Sequence, residues 1–110
     1  MRPVKIYVPG NVHELIDFVI AMQVEAPKFV DKSGYFPFRN LDYVFRQLRE
    51  GLAHNRQELG DERYLQLLQM SDHMRALFIA DPEDGTGESR KGRDMIYEIE
   101  DILREVPRKT

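Results

Sequence analysis

The sequence contains no cysteine. It therefore forms no disulfide, holds no zinc through thiolates and offers no thiol nucleophile, which suits a reducing compartment. Long hydrophobic runs are also missing. Phe18 to Met22, a run that no other exceeds, falls far short of the roughly 20 apolar residues that a membrane-spanning helix needs, and no signal-peptide core follows the single Arg2. A soluble, cytoplasmic protein is expected. His13, His54 and His73 fall in three different predicted helices and make no His-x-x-x-His pair, so no metal or other cofactor is implied. Ser33, Ser71 and Ser89 lack the flanking glycines of a nucleophile elbow. No glycine-rich loop stands between a strand and a helix, which leaves P-loop and dinucleotide-binding folds without support. An EF-hand beginning at Asp81 would place Thr86 where glycine is required, so Gly85 and Gly87 belong to a turn.

What the chain does contain is helical periodicity over 110 residues, enough for one domain with one core. Asn11, with Glu14 three residues later, has the form of a capping box. Val12, Leu15, Ile16, Val19 and Ile20 then line one face of a helix that ends near Glu25, because Pro27 disfavours helical geometry at Ala26. From Asn40, a second N-cap, Leu41, Val44, Phe45, Leu48, Leu52 and Leu59 mark a helix that runs to Gly60. That glycine is expected in a left-handed C-terminal conformation, with Asp61 as acceptor for the first N–H groups of the next helix.

From Asp61 to Ala80 the residues Tyr64, Leu65, Leu67, Leu68, Met70, Met74, Leu77 and Phe78 cover more than half the helix circumference. This is the expected centre of the core, with Leu68 facing Leu48 across the hairpin. A last helix resumes near Ser89 and buries Gly92, Met95, Ile96, Ile99, Ile102, Leu103 and Val106 before Pro107.

Two segments break this pattern. Val4, Ile6 and Val8 alternate with Lys5 and Tyr7 between Pro3 and Pro9, the pattern of a short extended strand. Between Lys28 and Arg39, Gly34 and Pro37 interrupt a loop rich in Phe29, Val30, Tyr35, Phe36 and Phe38, too apolar to lie wholly in water. The expected architecture is an all-α single domain, residues 1–110: a compact bundle of about four helices with a short N-terminal strand.

Charge is unevenly placed. Residues 81–110 carry nine acidic and six basic side chains, whereas residues 1–80 sum to zero. Such an acidic end repels nucleic acid and attracts a basic protein. A helix-turn-helix reader would need a shorter helix pair with a net basic recognition helix. Here Arg46, Arg49, Arg56, Arg63 and Arg75 are interleaved with Asp42, Glu50 and Glu58. Carboxylates three apart, Glu14 with Asp17 and Glu98 with Asp101, share helix faces and can bind Mg²⁺ together. They resemble the paired acidic helices of all-α nucleotide pyrophosphohydrolases, although the fuller acidic pattern of that family is absent.

The run Gly60-Asp61-Glu62-Arg63-Tyr64, the loop from Ala80 through Asp81-Pro82-Glu83-Asp84-Gly85-Thr86-Gly87 to Glu88, and Gly92-Arg93-Asp94-Met95-Ile96-Tyr97-Glu98 together resemble small bacterial immunity proteins of contact-dependent growth inhibition and related polymorphic toxin systems. The resemblance covers residues 40–105, rests on turn and helix wording, and carries over no functional residue. It implies a non-enzymatic cytoplasmic inhibitor that binds a cognate toxin domain, often a nuclease, and covers its active site. A Mg²⁺-dependent helical hydrolase and a small all-α regulatory scaffold are the alternative readings. Glu98, Asp101 and Glu105 share the exposed face of the last helix. With Asp81, Glu83, Asp84 and Glu88 of the loop before it, they make up the expected docking surface.

Overall fold

Asparagine starts both of the first two long helices. In the computed structural model, which describes residues 8–26, 29 and 40–107, Asn11 Oδ1 accepts from the Glu14 N–H at 2.8 Å and opens α1 (Val12–Glu25). Asn40 Oδ1 accepts from the Tyr43 N–H at 2.9 Å and opens α2 (Leu41–His54). The Glu14 carboxylate reaches back to the Gly10 N–H at 3.1 Å, so the first cap encloses one residue more than a simple capping box. Ala26, before Pro27, is extended, as the proline ring requires.

The helix expected to continue to Gly60 divides at Asn55 into α2 and the single turn α3 (Arg56–Leu59). Asn55 is buried. Its side-chain amide donates to the carbonyls of Pro9 at 3.0 Å and Gly51 at 2.8 Å. A buried amide finds partners where it can, and this one ties the segment before α1 to the end of α2.

Gly60 has φ +83° and ψ 152°, a conformation open essentially to glycine, though extended rather than left-handed helical. Asp61 makes no capping bond to α4 (Asp61–Ala80). Its carboxylate instead takes the Arg56 guanidinium at 2.9 Å, which stacks 4.8 Å from the Tyr64 ring centroid and clamps the turn from outside.

α4 packs against α2 on one side and against α5 (Glu88–Arg104) on the other, and α1 closes the ring between α5 and α2. Ion pairs join Asp42 to Arg75 and Arg49 to Asp72 across the α2/α4 seam, fixing those helices antiparallel. The four long helices form an all-α bundle, and no strand occurs among the described residues. Residues 3–7 of the expected strand and the aromatic loop apart from Phe29 lie outside the described residues, and Val8–Gly10 have no regular structure.

The core is narrower on α4 than its composition suggested. Leu67, Ser71, Met74 and Phe78 are the buried residues, while Leu65 is 52% exposed and Leu68 is only partly buried. Leu67 therefore occupies the central position expected of Leu68. At the end of the bundle nearest the α4–α5 loop, Phe78 meets Phe29 edge-on at 5.3 Å and Phe45 at 6.3 Å, and Phe29 meets Phe45 at 5.6 Å. Phe29 is held at φ 56°. That conformation costs roughly 1–2 kcal/mol, offset by burying a whole aromatic ring, worth about 1.5–3 kcal/mol.

Candidate functional site

The acidic loop between α4 and α5 is built around one of its own carboxylates. Asp81 is 2% exposed. Its Oδ1 accepts the N–H groups of Gly85 at 2.7 Å and Thr86 at 3.2 Å, and its Oδ2 accepts the Ser89 N–H at 3.1 Å. Gly87 supplies no side-chain cap to α5, so Asp81 caps that helix from across the loop. Burial by itself pushes the Asp81 carboxyl up. The N–H bonds from Ser89, Gly85 and Thr86, together with the Thr86 hydroxyl, outweigh burial and hold it below the ordinary aspartate value. Asp81 is therefore a structural acceptor, and its oxygens do not join the exposed docking set expected from the sequence.

The other acidic residues divide into engaged and unengaged groups. Asp84 binds Arg93 at 3.0 Å, Glu88 lies 3.7 Å from Lys91, and Glu83 is also engaged. Glu98 and Asp101 on α5 and Glu105 at its C-cap are exposed, and their carboxylates make no ion pair or hydrogen bond with a described residue. Asp94 is a fourth member that the sequence reading missed. It is exposed and unengaged, and its spacing to Glu98, Asp101 and Glu105 by four, seven and eleven residues puts all four on one stripe. The signal was present in the sequence as that spacing, one turn before Glu98.

Elsewhere the charges are consumed locally. Arg46 pairs with Glu50 at 3.2 Å, and Arg49, Arg56 and Arg75 pair with Asp72, Asp61 and Asp42, so the hairpin presents no continuous basic stripe. The Glu14 carboxylate accepts from the Gly10 backbone N–H and the Asn11 side-chain amide, and Asp17 lies 3.6 Å from His13. Among the described residues, no three His, Asp or Glu side chains are grouped to hold a metal ion. The Ser71 and Ser89 hydroxyls are enclosed without a hydrogen-bond partner.

A recess of about 570 Å³ opens where the start of α1 meets the end of α5, bringing Val12 and Ile16 beside Leu103, Arg104, Val106 and Pro107. At the other end of this seam, Gln23 Nε2 donates to the Arg93 carbonyl at 3.0 Å and Arg93 Nη2 to the Ala26 carbonyl at 3.2 Å. α1 and α5 thus run antiparallel in a fixed register.

No described helix is long and apolar enough to cross a membrane. No family model matches the chain, and neither a curated protein nor a solved structure is significantly similar to it.

Proposed function

We propose that this chain is an immunity protein: a cytoplasmic inhibitor that binds a cognate toxin domain, a basic nuclease in the simplest case, and covers its active site through the acidic face of α5. The observation that carries the reading is the unengaged stripe Asp94, Glu98, Asp101 and Glu105. Like charges at three- and four-residue spacing destabilise a helix by about 0.2–0.5 kcal/mol per pair. Carboxylates in the last turn also oppose the negative end of the helix dipole, by roughly 0.3–1 kcal/mol each. The fold gains nothing from this arrangement. A basic partner gains both association rate and charge complementarity from it.

The test is to search the flanking genes for a toxin domain and to coexpress it with the chain. Cells should survive with the inhibitor and die without it, and the two proteins should purify as one complex. Replacing Glu98 and Asp101 by Gln and Asn should raise stability by about 0.5–1 kcal/mol, through relief of like-charge contacts. It should also slow association, most strongly at low salt. Failure to protect, or protection without a complex, overturns the proposal.

A further inference from the structure

Large apolar side chains left in water on a small bundle fall into two kinds here. Leu65 and Ile79 are half exposed but stand fourteen residues apart on α4, about 21 Å along the axis, and make no patch. Ile20, Val24 and Tyr97 are different. Gln23 and Ala26 meet Arg93 at one end of the α1/α5 seam, and Ile16 lines a common recess with Leu103 and Arg104 at the other. This antiparallel register sets Ile20 level with Tyr97, and Val24 level with Arg93 and Asp94. Ile20 lies just outside the flank of α1 that Ile16 and Gln23 turn toward α5, and Val24, one turn on, lies on the outer face opposite Leu15, Val19 and Met22. Tyr97 lies on the outer side of α5, away from Ile96, Ile99 and Leu103. They are 41%, 86% and 57% exposed; Ile20 and Tyr97 flank the outer edge of the seam, and Val24 extends the patch onto the outer face of α1.

We infer that Ile20, Val24 and Tyr97, set along the α1/α5 seam beside the carboxylate stripe of α5, form the apolar anchor of a docking surface for a basic protein. The inference rests on the functional reading above and names the residues that supply affinity where the carboxylates supply attraction. Interfaces draw most of their energy from a few central aromatic and aliphatic anchors, ringed by polar groups that exclude water. Tyr97 holds the central place: Asp94, Glu98 and Asp101 lie three before, one after and four after it.

Charge selects the occupant. Arg93 and Arg104 beside the seam are held by Asp84 and Glu100, and Lys91 by Glu88, leaving Arg90 as the unpaired cation of α5 among the described residues, against four unengaged carboxylates. A second copy of the chain docked through the same patch would set acidic stripe near acidic stripe, and nucleic acid would bring phosphate to carboxylate. A basic protein surface meets neither penalty.

The probe is the toxin domain identified by the coexpression test above, titrated with purified variants. Tyr97→Ala should keep the wild-type melting temperature and weaken the complex about 30-fold or more, as loss of a central anchor does. Val24→Ala should weaken it by a smaller factor, and Leu65→Ala by less than about twofold. If the complex forms and Tyr97→Ala binds as tightly as wild type, the anchor is wrong while the immunity reading stands. If no complex forms, the immunity reading fails, and the surface is judged separately with a photo-crosslinking residue at position 24 in the native cells. A crosslink to a basic polypeptide that disappears with Tyr97→Ala and weakens as salt rises retains the docking surface. A crosslink to a second copy, one insensitive to Tyr97→Ala, or none at all overturns it.

Discussion

Replacing Gly92 by alanine sets two effects of known size against each other. A glycine inside an exposed helix costs about 0.5–1 kcal/mol relative to alanine, so the exchange would ordinarily stabilise the protein. Here a Cβ would lie 2.7 Å from Phe78 Cε1 and 2.8 Å from Cζ. The ring must retreat by about 0.7 Å to reach an ordinary contact of 3.4 Å, but it is enclosed by Phe29 and Phe45 and has no exposed side to move toward. Overpacking a filled core costs roughly 1–3 kcal/mol. The net expectation for Gly92→Ala is a loss of about 1–2 kcal/mol, read in urea denaturation as a lower midpoint with an unchanged slope. Adding Phe78→Leu should recover part of that loss, because the two changes act on the same space and their effects do not add. A Gly92→Ala variant more stable than wild type by the full helix-propensity gain would show that α4 and α5 do not approach so closely.

Leu67→Ala should cost about 2–5 kcal/mol as a fully buried truncation, whereas Leu65→Ala should stay within about 0.5 kcal/mol; similar losses at both sites in chemical denaturation would mean that α4 is rotated. Gly60→Ala should cost roughly 1–3 kcal/mol through backbone strain alone, since a Cβ there meets nothing within 4 Å, and an unchanged melting temperature would refute the positive φ. Asp81 binds its proton less readily folded than unfolded, so the stability it contributes is complete above the ordinary aspartate value, about 3.9. That contribution is lost as pH falls through this value toward the lower folded one. Asp81→Asn should therefore be less stable than wild type near neutrality, with the gap closing in acid; parallel pH–stability curves would show that the loop does not depend on this carboxylate.

Local pattern was enough to reveal the helices, because the first two long helices carry their own caps and all four carry an apolar face at helical spacing. Asn11 and Asn40 cap as their side chains allow, Pro27 stops α1 through its ring, and the apolar residues at three- and four-residue spacing mark most of the inward faces. The all-α bundle follows, since amphipathic helices joined by short turns have only one another to bury against. The acidic balance of the C-terminal segment was equally legible, because net charge is a sum over residues.

Three matters depended on tertiary structure. On α4 the apolar residues cover more than half the helix circumference, so periodicity had no single face to report; packing between α2 and α5 selected Leu67 and left Leu65 in water. In the acidic loop, composition counts Asp81 and Asp84 alike, whereas folding buries one beneath three N–H groups and pairs the other with Arg93. The antiparallel seam that brings Ile20 level with Tyr97 joins residues more than seventy positions apart. Their adjacency is a property of helix register, which the bundle as a whole decides.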